Sequence, residues 1–145
     1  MTRIAQVMTR GVRTMAPRDT LMQAAQAMDE LDVGSLPVCD GERLVGMVTD
    51  RDITIRGVAQ GCAVDRTPVA DVMSTDVQCV YEDQSVEDAS AQMRDLQIRR
   101  LPVLDRDQHL VGMLALGDLA VKAGADRAAD ALSEISEPAE PDRPH

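Results

Sequence analysis

The sequence predicts a mixed α/β (α+β) fold of two β-α-β-β-α repeats packed with pseudo-twofold symmetry. Three observations carry this. Val7-Met8 recurs as Val72-Met73, and Leu36-Pro37-Val38 recurs as Leu101-Pro102-Val103, both 65 residues on. Gly46-Met47 returns as Gly112-Met113 at 66, so the second copy holds one extra residue in the intervening turn. Self-similarity at a fixed period marks a repeated supersecondary unit. The repeats are expected over 4–60 and 68–125, and their relation implies two similar clefts. Function is then sought in what differs between the copies.

Each repeat should open with a short helical turn, at Ile4–Met8 and Val69–Met73, the second with Thr67 as N-cap and Pro68 at the first helical position. A short extended piece follows, Val12–Met15 and Val77–Tyr81. The next element is an amphipathic helix. Leu21, Ala24, Ala25, Met28 and Leu31 recur as Val86, Ala89, Ser90, Met93 and Leu96, apolar apart from Ser90 and at helical spacing. Thr20 with Gln23, and Ser85 with Asp88, suggest capping boxes at the helix starts. Two strands follow in each copy, Leu36–Cys39 with Leu44–Val48, and Leu101–Leu104 with Leu110–Leu114, joined by polar turns. A final helix begins near Asp50 and near Gly117. Residues 57–66 read as a short link, so the units should pack as neighbours. The last stretch, 133–145, has three prolines and four acids and reads as a disordered tail.

Composition narrows the function. A chain of 145 residues buries ~70% of its unfolded surface, enough to fold without metals or disulfides. Cys39, Cys62 and Cys79 are odd in number and show no framework spacing. There is neither a membrane-length apolar run nor a signal-like N-terminus, so a cytoplasmic protein is expected. A net charge of −10 disfavours nucleic acid, and Tyr81 as the sole aromatic provides no stacking platform. Of the 15 basic residues 14 are arginine, whose planar fork suits a local phosphate site.

The sharpest local signal is Thr49-Asp50-Arg51-Asp52, after a strand and opening a helix. It reads in two ways. Thr49 with Asp52 three residues on forms a capping box. The same position suits an anion, with Thr49 and Arg51 meeting phosphate and Asp52 accepting from a ribose diol. Arg99-Arg100, before Leu101-Pro102-Val103, is the second signal; if extended, only one of the pair enters a given cleft. His109 lies in a turn and His145 ends the chain, so no histidine-based triad or metal cluster is expected.

The doubled pattern Val-Met…Leu-Pro-Val-x-Asp…Gly-Met-x-x-x-x-Asp resembles a tandem pair of CBS domains, the Bateman module, over roughly residues 4–125. The resemblance implies clefts for adenosyl ligands such as AMP, ATP, NAD or S-adenosylmethionine, and frequent dimerisation. Carried over by position, cleft one would combine Thr49, Arg51 and Asp52 with Val77, Gln78, Arg99 and Arg100. Cleft two would combine Asp118 with Val12, Arg13, Gly34 and Ser35. The second copy departs from the pattern: Ala115 stands for Thr49, and Leu116-Gly117 for Asp50-Arg51. Cleft two should therefore be the weaker.

The reading is a stand-alone regulatory module, not an enzyme. It would need no cofactor, take an adenine nucleotide as regulatory ligand, and signal through a conformational or dimer change to an unidentified protein. The alternative is a ligand-free homodimeric interaction protein. An enzyme ranks last, since no nucleophile–base pair is visible.

Overall fold

The physical units cut across the sequence repeats. The structure, a computed structural model, describes residues 2–119; the expected tail, 133–145, and the end of the second repeat, 120–125, lie outside the described residues. Among the described residues, 2–12 and 78–119 form one unit and Arg13–Val77 the other. Residues 2–12, which open the first repeat, thus build into the unit of the second. Residues 68–77, which open the second, build into the unit of the first. Residues 57–66, expected as the link, lie inside the Arg13–Val77 unit; the chain passes between units at 12/13 and 77/78.

In the Arg13–Val77 unit, α1 (Leu21–Leu31) starts from the predicted box: Gln23 N–H donates to Thr20 Oγ1 at 3.2 Å and Thr20 N–H to Gln23 Oε1 at 2.8 Å. Its buried face is Leu21, Ala24, Ala27 and Met28. Ala25 and Leu31, read as core from periodicity, are exposed, Leu31 in the last turn of the helix. Strands β1 (Ser35–Asp40) and β2 (Arg43–Thr49) pair antiparallel, with a register shift at Val38/Cys39. The extended piece expected at Val12–Met15 reduces to one parallel bridge, Met15 to Val38. Pro17 has no N–H, so the bond that Glu82 N–H makes to the Leu104 carbonyl in the other unit has no counterpart and pairing stops there. After β2 the chain enters α2 (Asp50–Asp52), a π-turn over Ile53–Gly57 and a 3-10 turn over Val58–Gln60. Val69–Asp71 is a further 3-10 turn, capped by Pro68 rather than Thr67; Thr67 instead accepts from Leu21 N–H through its carbonyl.

The other unit repeats this plan. β3 (Val80–Tyr81) pairs parallel with β4 (Arg100–Leu104), which pairs antiparallel with β5 (Leu110–Ala115), and α3 (Val86–Leu96) covers the sheet. α4 (Leu116–Asp118) follows β5 directly. The 3-10 turn Ile4–Gln6 is tied in by Ile4 N–H to the Gln84 carbonyl at 2.9 Å and Ala5 N–H to the Glu82 carbonyl at 3.0 Å. Ile4, Val7 and Met8 join Val80, Val86, Met93, Leu101, Val103 and Leu114 in its core, as Val69 and Val72 join Leu21, Met28, Val38 and Val48 in the first. Leu96, like Leu31, is exposed in the last turn of its helix. Ser90, on the face where α1 carries the exposed Ala25, is buried and its hydroxyl has no partner among the described residues.

The leading segments lie against the middle of the second strand of each unit through two-way backbone bridges. Thr9 and Met113 exchange N–H to carbonyl bonds of 2.9 and 3.0 Å, and Ser74 and Met47 exchange bonds of 2.8 and 2.9 Å. These bridges explain the doubled Gly-Met. A Cβ on Gly112 would stand 2.7 Å from the Thr9 carbonyl oxygen, and one on Gly46 would stand 2.8 Å from that of Ser74. Backbone cannot swing aside as a side chain can, so Gly46→Ala and Gly112→Ala should each lower stability by about 1–3 kcal/mol. Gly117, with nothing within 4 Å and an ordinary φ, is the control: Gly117→Ala should leave stability unchanged or slightly raised. Urea unfolding of the three variants checks this.

Candidate functional site

The Thr49–Asp52 segment forms a closed reciprocal box. Thr49 N–H donates to Asp52 Oδ2 at 3.0 Å, and Asp52 N–H donates to Thr49 Oγ1 at 3.0 Å. The capping reading of these residues is therefore realised. Asp50 N–H donates to the Gly34 carbonyl at 2.9 Å, and Asp50 Oδ1 accepts from Arg51 N–H at 2.8 Å. Capping leaves groups over. Among the described residues, Asp52 Oδ1 accepts no hydrogen bond and the exposed Arg51 guanidinium has no partner.

The second copy builds half of the same box. Ala115 N–H donates to Asp118 Oδ2 at 2.9 Å, but Ala115 provides no hydroxyl for Asp118 N–H. Backbone angles at the two positions are close, φ −114 and ψ 162 at Thr49 against −123 and 157 at Ala115. Leu116 N–H donates to the Arg99 carbonyl at 3.1 Å, the counterpart of Asp50 to Gly34. Asp118 differs from Asp52 in its other oxygen: Thr9 Oγ1 donates to Asp118 Oδ1 at 3.5 Å. Sequence reasoning passed over Thr9. The signal that could have found it is that a hydroxyl follows Val-Met in both copies, Thr9 and Ser74.

Of the predicted site residues, Thr49, Arg51, Asp52, Val77, Arg13, Gly34 and Ser35 lie in the Arg13–Val77 unit. Gln78, Arg99, Arg100, Asp118 and Val12 lie in the other. Within units, register sets Ser35 opposite Thr49 and Arg100 opposite Ala115, so each pre-Leu-Pro residue neighbours the box of its own unit. Arg13 pairs with Glu30 at 3.7 Å; Arg99 is half-buried and Arg100 exposed.

Other groups are engaged among themselves. A half-open cavity of about 270 Å³ is lined by Arg3, Tyr81, Glu82, Asp83, Leu104 and Arg106, none of them a predicted site residue. Arg106 grips Asp83 through two 2.9 Å bonds and stacks on Tyr81 at 4.1 Å, and it holds the Asp83 carboxyl below its ordinary range. Burial pushes the Cys39 and Cys79 thiols up, away from reactive thiolate. Among the described residues no group of three or more His, Cys, Asp or Glu could hold a metal, and no helix is long and apolar enough to cross a membrane.

The family model for the CBS domain matches residues 4–56 and again 69–123. The chain belongs to the CBS-domain family. CBS domain-containing protein YhcV of Bacillus subtilis is 44% identical over 137 residues, 94% of this chain and 96% of that protein. Hypoxic response protein 1 of Mycobacterium tuberculosis is 36% identical over 121 residues, 83% of this chain and 84% of that protein. The crystal structure of Hypoxic Response Protein I with two coordinated zinc ions matches at TM-score 0.73, 36% identity and 83% and 98% coverage. That of CBSX2 in complex with AMP matches at 0.71 and 26% identity, covering 92% of this chain and 99% of that one. The fold is thus that of CBS-domain pair proteins, as the duplication predicts.

Completing or breaking the box should move stability in opposite directions. An N-cap hydroxyl contributes about 0.5–2 kcal/mol, so Thr49→Ala should destabilise and Ala115→Thr should stabilise within that range. Thermal unfolding of the ligand-free variants measures both signs.

Proposed function

We propose that this protein is a non-catalytic regulatory module that binds an adenosyl ligand of the AMP or ATP type, principally at Thr49, Arg51 and Asp52. The observation that carries this is the pair of groups left over after capping, Asp52 Oδ1 and the Arg51 guanidinium. A carboxylate oxygen with open lone pairs accepts from a ribose hydroxyl, and a guanidinium binds phosphate through its planar fork. The box supports the site by fixing the Asp52 carboxylate through Oδ2 while Oδ1 faces no protein donor. The AMP complex of the related CBSX2 adds to this reading. Binding would act by linkage: a nucleotide preferring one arrangement of the chain shifts that population, and a partner protein reads the shift.

Calorimetric titration with AMP and ATP tests the proposal. A hydrogen bond to a charged group contributes ~1.5–3 kcal/mol, so Asp52→Ala should weaken binding by ~10–100-fold. Unchanged affinity in Asp52→Ala would show that the segment is a helix cap and nothing more.

Homodimerisation accompanies the proposal and is also its rival, since a ligand-free dimer could be the working form. It is favoured by Met22, Ile55 and Val58, large apolar side chains of the Arg13–Val77 unit that are 40%, 45% and 56% exposed. Sedimentation at roughly tens of micromolar should show a dimer, because association follows mass action. Monomer alone at that concentration counts against it.

A further inference from the structure

The two aspartates that close the two copies make the same backbone bond and differ in the oxygen that remains. Asp52 Oδ2 accepts from Thr49 N–H and Asp118 Oδ2 accepts from Ala115 N–H, at 3.0 and 2.9 Å. Asp52 Oδ1 is open among the described residues, whereas Asp118 Oδ1 accepts from the Thr9 hydroxyl at 3.5 Å. Thr9 is held there by its two-way bridge to Met113, with bonds of 2.9 and 3.0 Å. Ser74 holds the matching bridge to Met47, yet its hydroxyl makes no bond to Asp52. The side chains differ by one methyl. A β-branched threonine has few χ1 positions, and serine, without the branch, turns more readily.

We infer that Thr9 is an internal occupant of the second copy: its hydroxyl takes the Asp118 oxygen that a ligand hydroxyl would need, so one adenosyl ligand binds per chain, at Asp52. This rests on the adenosyl reading above and adds what decides the number of sites. A ligand diol approaching Asp118 Oδ1 competes with a donor already in place, and where it takes that position it gains only an exchange of one hydrogen bond for another. At Asp52 the same diol meets an oxygen with no protein donor to displace. Ala115 and Gly117 also remove the hydroxyl and the guanidinium that would meet phosphate in the first copy, a loss separate from the carboxylate oxygen that Thr9 contacts. Thr9 therefore sets specificity by position, through the carboxylate, and its backbone role is separate from its side-chain role.

That separation makes the test clean. Thr9→Val keeps the β-branched shape and the backbone bridge and removes only the donor. Because Gly117 stands where the first copy has Arg51, the probe is adenosine, which has the diol and no phosphate. Titration of the full chain with adenosine is expected to give one site per chain in the wild type, two in Thr9→Val, and one again in Thr9→Val/Asp118→Ala. Two sites in the wild type, or one in Thr9→Val, overturns the inference. Absence of both AMP and adenosine binding in the wild type instead overturns the adenosyl reading, and the ligand-free protein then judges the Thr9–Asp118 contact by itself. Thermal unfolding of the wild type, Thr9→Val, Asp118→Ala and the double variant should give non-additive shifts of the midpoint, as expected for paired groups. Additive shifts would show that Thr9 and Asp118 do not interact.

Discussion

Each unit depends on one close approach of backbone to backbone, where the segment leading a repeat crosses the second strand of a sheet. The bridges Thr9–Met113 and Ser74–Met47 require that the residue beside each Met has no Cβ, and Gly112 and Gly46 meet that requirement. Once the crossing is made, Val7 and Met8, or Val72, are delivered into a core already lined by helix and strand residues. Burial of such side chains stabilises by ~1.5–3 kcal/mol each, so a poor crossing would forfeit several contacts together. The same crossing sets a hydroxyl-bearing residue, Thr9 or Ser74, at the bridge itself.

Capping at Asp52 and the ligand binding proposed there use different atoms. A carboxylate has two oxygens and about four acceptor positions, and the box uses one of them. The capped carboxylate is better placed for recognition than a loose one, because the bond that secures it also removes the entropy of orienting it. The second copy keeps the securing bond at Asp118 and turns the remaining oxygen inward to Thr9. Duplication has thus preserved geometry while the chemistry at one of the two positions has been internalised.

Much of this was legible from residue spacing, and the exceptions share a cause. Both long helices run as their periodicity indicates, Leu21–Leu31 and Val86–Leu96, and the Thr20–Gln23 and Thr49–Asp52 boxes form with both of their bonds. These are local features, governed by neighbours three or four residues away. The exposure of Ala25, Leu31 and Leu96 was not legible, because burial depends on which residues distant in the chain pack against a helix and not on its spacing alone. The expected strand at Val12–Met15 is reduced to the Met15 bridge, and beyond that bridge Pro17 cannot donate the bond that would extend the pairing.

The sequence by itself determined the duplication, the family, the helix and hairpin of each copy, and the residues at 49–51 and 115–117 that distinguish the copies, since each is written in residue identity at fixed separation. Only the tertiary structure decided which segments build which unit and which oxygen of each aspartate is already occupied. Residues 2–12 belong with 78–119, and Thr9 meets Asp118 across 109 residues of chain. Contacts at that separation leave no periodic trace. They arise only when a leading segment can approach a strand closely enough, and one missing Cβ at Gly46 or Gly112 permits that.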